Sequence, residues 1–130
     1  MSAFVLDTSA LLALLIRETG ADRVEAAVDA GAAVSALTVQ EAVSKLVERG
    51  MSEEDAGTAV GDTGVVVHDL TVPLAVAAGG MFPVTRRHGI SHGDRACLAL
   101  GRSLGVPVLT ADKAWSAVAG DLGVTVEQFR

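Results

Sequence analysis

The chain has 130 residues, enough for one domain, read as residues 1–130, that buries roughly two-thirds of the surface its unfolded form exposes. Sixteen acidic against ten basic side chains give a formal charge of −6, which excludes a protein that holds nucleic acid through a global positive field. Cys97 is the single cysteine, so no internal disulfide is expected; no apolar run nears the roughly 20 residues that cross a bilayer, and the start lacks the basic region of a secretory signal, so a cytoplasmic protein without a membrane part is expected.

Along the chain, Ala3–Leu6 is a β-favouring apolar run that stops at Asp7-Thr8-Ser9 before the helix-prone Ala10–Ile16, which predicts strand, tight turn and helix. A second helix is expected over Asp22–Ala30 and a short strand over Ala32–Ser35. Thr38-Val-Gln-Glu41 has the form of a capping box and predicts a helix over Ala42–Arg49, with Gly50 as its stop. Ser52-Glu-Glu-Asp55 opens another helix, and Val65–Val67 reads as a strand. Pro73 suits the first turn of a helical stretch from Thr71 toward Arg87, which Gly79, Gly80 and Pro83 should kink or break. Ser91-His-Gly-Asp94 caps a helix over Arg95–Ser103; a strand over Val106–Leu109, a helix over Ala111–Ala119 and an edge strand over Val124–Val126 follow. Strands alternating with helices predict an α/β fold with a short, mainly parallel sheet flanked by helices.

In such a sheet the carboxyl ends of the strands share one edge, where ligands bind. Asp7 follows the first strand, Glu41 lies near the start of the helix after the second, and Asp112 follows the strand ending at Leu109. Asp94 opens a helix able to point back to the same crevice. Each acid also has a capping explanation, since carboxylates suit helix N-termini. Convergence changes the balance, because carboxylates sharing a crevice repel unless cations lie between them. An all-oxygen donor set points to a hard ion, Mg²⁺ with Mn²⁺ as its substitute. Removing these four carboxylates takes the formal charge from −6 to −2, so much of the acidity belongs to one cluster. Asp69 also follows a strand, and position alone leaves it open as a further member.

Four segments in order, Phe-Val-Leu-Asp7-Thr-Ser9, Ser35-Ala-Leu-Thr-Val-Gln-Glu41, Gly-Ile-Ser-His-Gly-Asp94-Arg-Ala-Cys-Leu-Ala-Leu100 and Val-Leu-Thr110-Ala-Asp112, resemble the PIN-domain family, particularly the VapC toxins of toxin–antitoxin pairs. The resemblance implies a PIN-like three-layer sandwich, a Mg²⁺-dependent endoribonuclease, a homodimer, and a small VapB-type antitoxin that enters the active-site groove. It implies that Asp7, Glu41, Asp94 and Asp112 are the catalytic and metal-binding acids, with Ser9 and Thr110 as accompanying hydroxyls. The segment Gly79-Gly80-Met-Phe-Pro83 departs from the smoother helix of relatives.

Beyond the acids, Arg95, Arg86 and Arg87 are the candidate RNA phosphate contacts, with His92 beside Asp94 as a further candidate. His68, His88 and His92 have no spacing that suggests a metal site. Cys97 reads as a buried structural thiol and Trp115 as a core or interface residue. With one Trp, three Phe and no Tyr, the chain lacks a platform for stacking single-stranded bases, so a structured RNA is the expected substrate. A mean hydropathy of +0.44 suggests an apolar surface for a partner. The competing functions are a catalytically silent PIN-like module that binds a partner or RNA, and a phosphotransfer domain built on Asp7. Asp7-Thr-Ser9 lacks the second nearby aspartate that the latter needs.

Overall fold

The computed structural model describes all 130 residues. Its elements in chain order are β1 (Phe4–Leu6), α1 (Thr8–Ile16), α2 (Ala21–Ala30), β2 (Ala32–Ser35), α3 (Ala36–Glu48), α4 (Glu53–Asp62) and β3 (Val66–His68). The second half contributes α5 (Val72–Gly80), α6 (Phe82–Thr85), α7 (His92–Leu104), β4 (Val108–Thr110), α8 (Ala114–Leu122) and β5 (Val126–Gln128). The five strands form one sheet in the order β3-β2-β1-β4-β5, and every pair is parallel.

Successive strand residues point to opposite faces, so each strand feeds two cores. Val5, Ala33 and Val108 join Cys97, Leu98, Trp115 and Val118 in one cluster. Leu6, Ala32, Val34 and Leu109 join Leu11, Val24, Ala27 and Ala42 in the other. Helices α5 to α8 therefore cover one face and α1 to α4 the other, giving the expected three-layer α/β sandwich. No helix is long and apolar enough to cross a membrane.

The structure moves several expected boundaries. Helix α3 begins at Ala36, not Ala42, because the Ser35 hydroxyl accepts from the Leu37 amide at 3.2 Å and turns the end of β2 directly into helix. Thr38 is therefore no cap: it lies buried inside the helix, and Glu41 stands one turn deeper than the first. The break expected near Gly79–Pro83 falls at Met81, between α5 and the four-residue α6. Strand β5 starts at Val126 because its register is set by β4, which pairs Val108 with Val126. Helix α8 starts at Ala114 because residues 111–113 turn around Thr110 and Asp112, whose side chains bind the Asp112 and Ala114 amides.

Helix α7 lies close on the sheet. A Cβ at Gly101 would stand 2.3 Å from Val108 Cγ2, inside van der Waals contact with a fully buried side chain. Gly101→Ala should therefore cost about 2 kcal/mol through overpacking, even though alanine favours helix. Urea denaturation measures this, and an unchanged midpoint would contradict the close approach.

Candidate active site

Asp7 is the centre of the site. It ends β1, the middle strand, and caps α1 with Oδ1 accepting from the Ala10 amide at 2.8 Å. The same oxygen accepts from the Ser9 hydroxyl at 2.6 Å, while Oδ2 accepts from the Thr110 hydroxyl at 2.5 Å. Those hydroxyls are themselves held: the Ala111 amide donates to Ser9 Oγ and the Asp112 amide to Thr110 Oγ1, both at 3.0 Å. The carboxylate thus joins the ends of the adjacent strands β1 and β4. Its capping role and a role in the acid cluster coexist.

Burial pushes the Asp7 carboxyl up to about 6, against the lowering effect of its Ser9, Thr110 and Ala10 bonds, and the charge of Asp94 raises it further. Asp94 is raised too, first by burial, with bonds from Ser91 opposing and the Asp112 charge adding. Asp94 forms the expected capping box: its Oδ2 accepts from the Ser91 amide at 2.9 Å, and its own amide donates to Ser91 Oγ at 3.2 Å. Glu41 accepts from the Thr8 hydroxyl at 3.1 Å. Asp112 is exposed, with Oδ1 accepting from the Ala114 amide at 2.9 Å, and its loop is tied to β5 by Gln128 Nε2 donating to the Asp112 carbonyl.

The acids therefore gather around Asp7, yet no three His, Cys, Asp or Glu side chains are set to clasp one ion as they stand. Asp94 is drawn to the Ser91 amide and Glu41 to Thr8. Such an open, all-oxygen set fits Mg²⁺ by its chemistry, because that ion keeps several waters and uses few carboxylates. Asp69 follows the edge strand β3, with β2 between it and β1, and is exposed.

The arginines divide. Arg95, a candidate RNA phosphate contact from the sequence, is only 7% exposed: Nη1 donates to the Ile90 carbonyl at 3.0 Å, Nη2 lies 3.0 Å from His92 Nδ1, and the guanidinium sits over the Phe82 ring. Its place in the first turn of α7 turns it inward, to brace the loop before that helix. Arg86 and Arg87 are exposed and form no ion pair. His92 is exposed beside Asp94. Thr8 and Gly93, which lie against Glu41, and Gln128, which holds Asp112, carry no catalytic signature in the sequence; only Thr8, between Asp7 and Ser9, has a position that points to the site.

Cys97 is buried, donates to the Leu6 carbonyl at 3.6 Å, and is pushed well up by burial and then by the charges of Asp7, Asp94 and Glu41. The native protein should resist alkylation at about pH 8 and react at a free-thiol rate in urea. Mass spectrometry reads this, and rapid labelling of the folded chain would contradict it. Trp115 lies in the core, as one of its two readings expected.

The sequence matches the PIN domain family over residues 4–121. The chain belongs to the PIN-domain family. No curated protein matches it. Among solved structures, this PIN domain is similar to DNA-bound VapBC from Salmonella typhimurium, at 18% identity and a TM-score of 0.78 over all of both chains. It is also similar to VapBC2 from Rickettsia felis bound to a promoter DNA fragment, at 12% identity and a TM-score of 0.74, covering 96% of this chain and 97% of that one. A third is VapC20 from Mycobacterium tuberculosis, a Sarcin-Ricin loop cleaving toxin; it is 20% identical, with a TM-score of 0.71 over 88% of this chain and 93% of that one. At these identities the likeness establishes the fold.

Proposed function

We propose that this PIN domain is a Mg²⁺-dependent endoribonuclease, the toxin of a toxin–antitoxin pair, which cleaves structured RNA and is restrained by a VapB-type antitoxin. The observation that carries the reading is Asp7: a buried carboxylate held on both oxygens by Ser9 and Thr110, at the sheet edge where Asp94, Asp112 and Glu41 also gather. The similarity to two VapBC complexes and to VapC20, a Sarcin-Ricin loop cleaving toxin, supports the substrate class and the partner.

Asp7, Asp94 and Asp112 would hold the ion, and Glu41 would do so directly or through water. When bound, a divalent ion neutralises the scissile phosphate and makes a nearby water more acidic. Ser9 and Thr110 fix the Asp7 carboxylate, so its lone pairs keep one direction. Glu41, facing the site from α3, would either share in holding the ion or orient the water that attacks phosphorus in line. Arg86 and Arg87, exposed and without an ion pair, are free to meet RNA phosphates, whereas Arg95 is spent on the Ile90 carbonyl. The exposed apolar side chains Leu70, Val72, Val76 and Phe82 support protein partners, an antitoxin and a second copy of the chain.

The test is incubation of the purified chain, freed of any bound partner, with total RNA in Mg²⁺ or in EDTA. Cleavage that EDTA stops is expected, and Asp94→Asn should remove it. If the wild type cleaves nothing under Mg²⁺ or Mn²⁺, the nuclease reading fails; RNA bound but uncut would favour the silent module.

A further inference from the structure

Gly93 is the second residue of α7 and is buried. Its backbone is ordinary right-handed helix, so no left-handed conformation calls for glycine, and alanine would favour the helix. What calls for glycine is space. A Cβ there would lie 2.3 Å from Glu41 Oε1, 2.8 Å from the Glu41 carboxyl carbon and 3.0 Å from Oε2. All three separations are inside van der Waals contact, and they involve the whole carboxylate.

The Thr8 hydroxyl donates to the same oxygen, Glu41 Oε1, at 3.1 Å. Thr8 is the first residue of α1, next to Asp7, and Gly93 is next to Asp94. A glutamate side chain turns about three torsions and is otherwise free to sample several rotamers. Here its carboxylate rests between the start of α1 and the first turn of α7, where the helix dipole also favours a negative charge.

We propose that Gly93, together with the Thr8 hydroxyl, is a positioning residue that fixes the Glu41 carboxylate between Asp7 and Asp94. The missing side chain at 93 and the hydroxyl at 8 act as the two jaws of one clasp. The consequence for catalysis rests on the nuclease reading; the clasp itself does not.

The experiment is a double-mutant cycle of Gly93→Ala against Glu41→Ala, with Thr8→Val alongside, read by Tm, by calorimetric binding of Mn²⁺ to the RNA-free protein, and by steady-state RNA cleavage. Gly93→Ala is expected to lower kcat about 100-fold with KM nearly unchanged, and to weaken Mn²⁺ binding about tenfold. Thr8→Val should move both in the same direction by less. In the Glu41→Ala background, Gly93→Ala should leave Mn²⁺ affinity unchanged and should not lower Tm, which the helix preference of alanine raises slightly. The proposal is overturned if Gly93→Ala keeps wild-type kcat and Mn²⁺ affinity, or if it lowers Tm equally in both backgrounds. Should Gly93→Ala fail to fold, recovery in the double variant supports the clasp and renewed failure overturns it. A wild type that neither cuts RNA nor binds Mn²⁺ would defeat the nuclease reading, while the Tm cycle still decides the clasp.

Discussion

Asp7→Asn is expected to abolish RNA cleavage while making the metal-free protein harder to unfold at neutral pH. Asparagine keeps the shape and can still accept from Ser9 and from the Ala10 amide, so β1 and α1 retain their junction. It removes the negative charge on which an ion and its phosphate would depend. Losing several kcal/mol of charge stabilisation corresponds to roughly a thousandfold in rate. The amide meets Thr110 with a donor instead of an acceptor, and that hydroxyl can accept it by turning its own proton away. Loss of activity together with loss of folding would contradict the expectation, because it would make Asp7 a structural cap alone.

The second large effect is the pH dependence behind that stability gain. In the fold Asp7 titrates near 6, above its ordinary value of 3.8, because burial penalises its charge. Between those values the native state holds a proton that the unfolded chain has lost, so stability is fully present below about 4 and declines as pH rises through 6. A shift of about two pH units corresponds to about 3 kcal/mol. Asp94 is shifted the same way and adds to the trend. Urea midpoints of the wild type should therefore fall between about pH 4.5 and pH 7.5, and fall less for Asp7→Asn; comparing the two isolates this carboxylate from the others. On the proposed function, Mg²⁺ should restore the midpoint at the upper pH and do little at the lower one. Parallel curves for the two proteins would show that Asp7 carries no such cost.

The features readable in the sequence were those whose cause is local or periodic. Asp7 and Thr110 end apolar strands, so their arrival at one edge follows from the alternation of strand and helix. Ser91 and Asp94 form a box within four residues, and it is present. Thr38 and Glu41 have the same spacing and form none, because Ser35, already aligned by β2, caps first. Propensity cannot rank two competing caps when one is placed by the sheet. Its place beside Asp94 makes Arg95 a candidate phosphate contact in the sequence, whereas its burial depends on the Ile90 carbonyl and Phe82 closing over it. The part played by Gly93 was hidden for a related reason: a glycine's neighbour across space leaves no mark beside it in the chain.

The bond between Asp7 and Thr110 spans 103 residues, and that between Ser9 and Ala111 spans 102. During synthesis, strands β1 and β2 can emerge and pair while β4 does not yet exist. A growing chain therefore carries Asp7, Glu41 and later Asp94 without the hydroxyl that holds Asp7 or the carboxylate of Asp112. The support of Asp7 is completed only after residues 110 and 111 have been made and β4 has joined β1, so on the proposed function the nuclease centre is among the last parts of the domain to assemble.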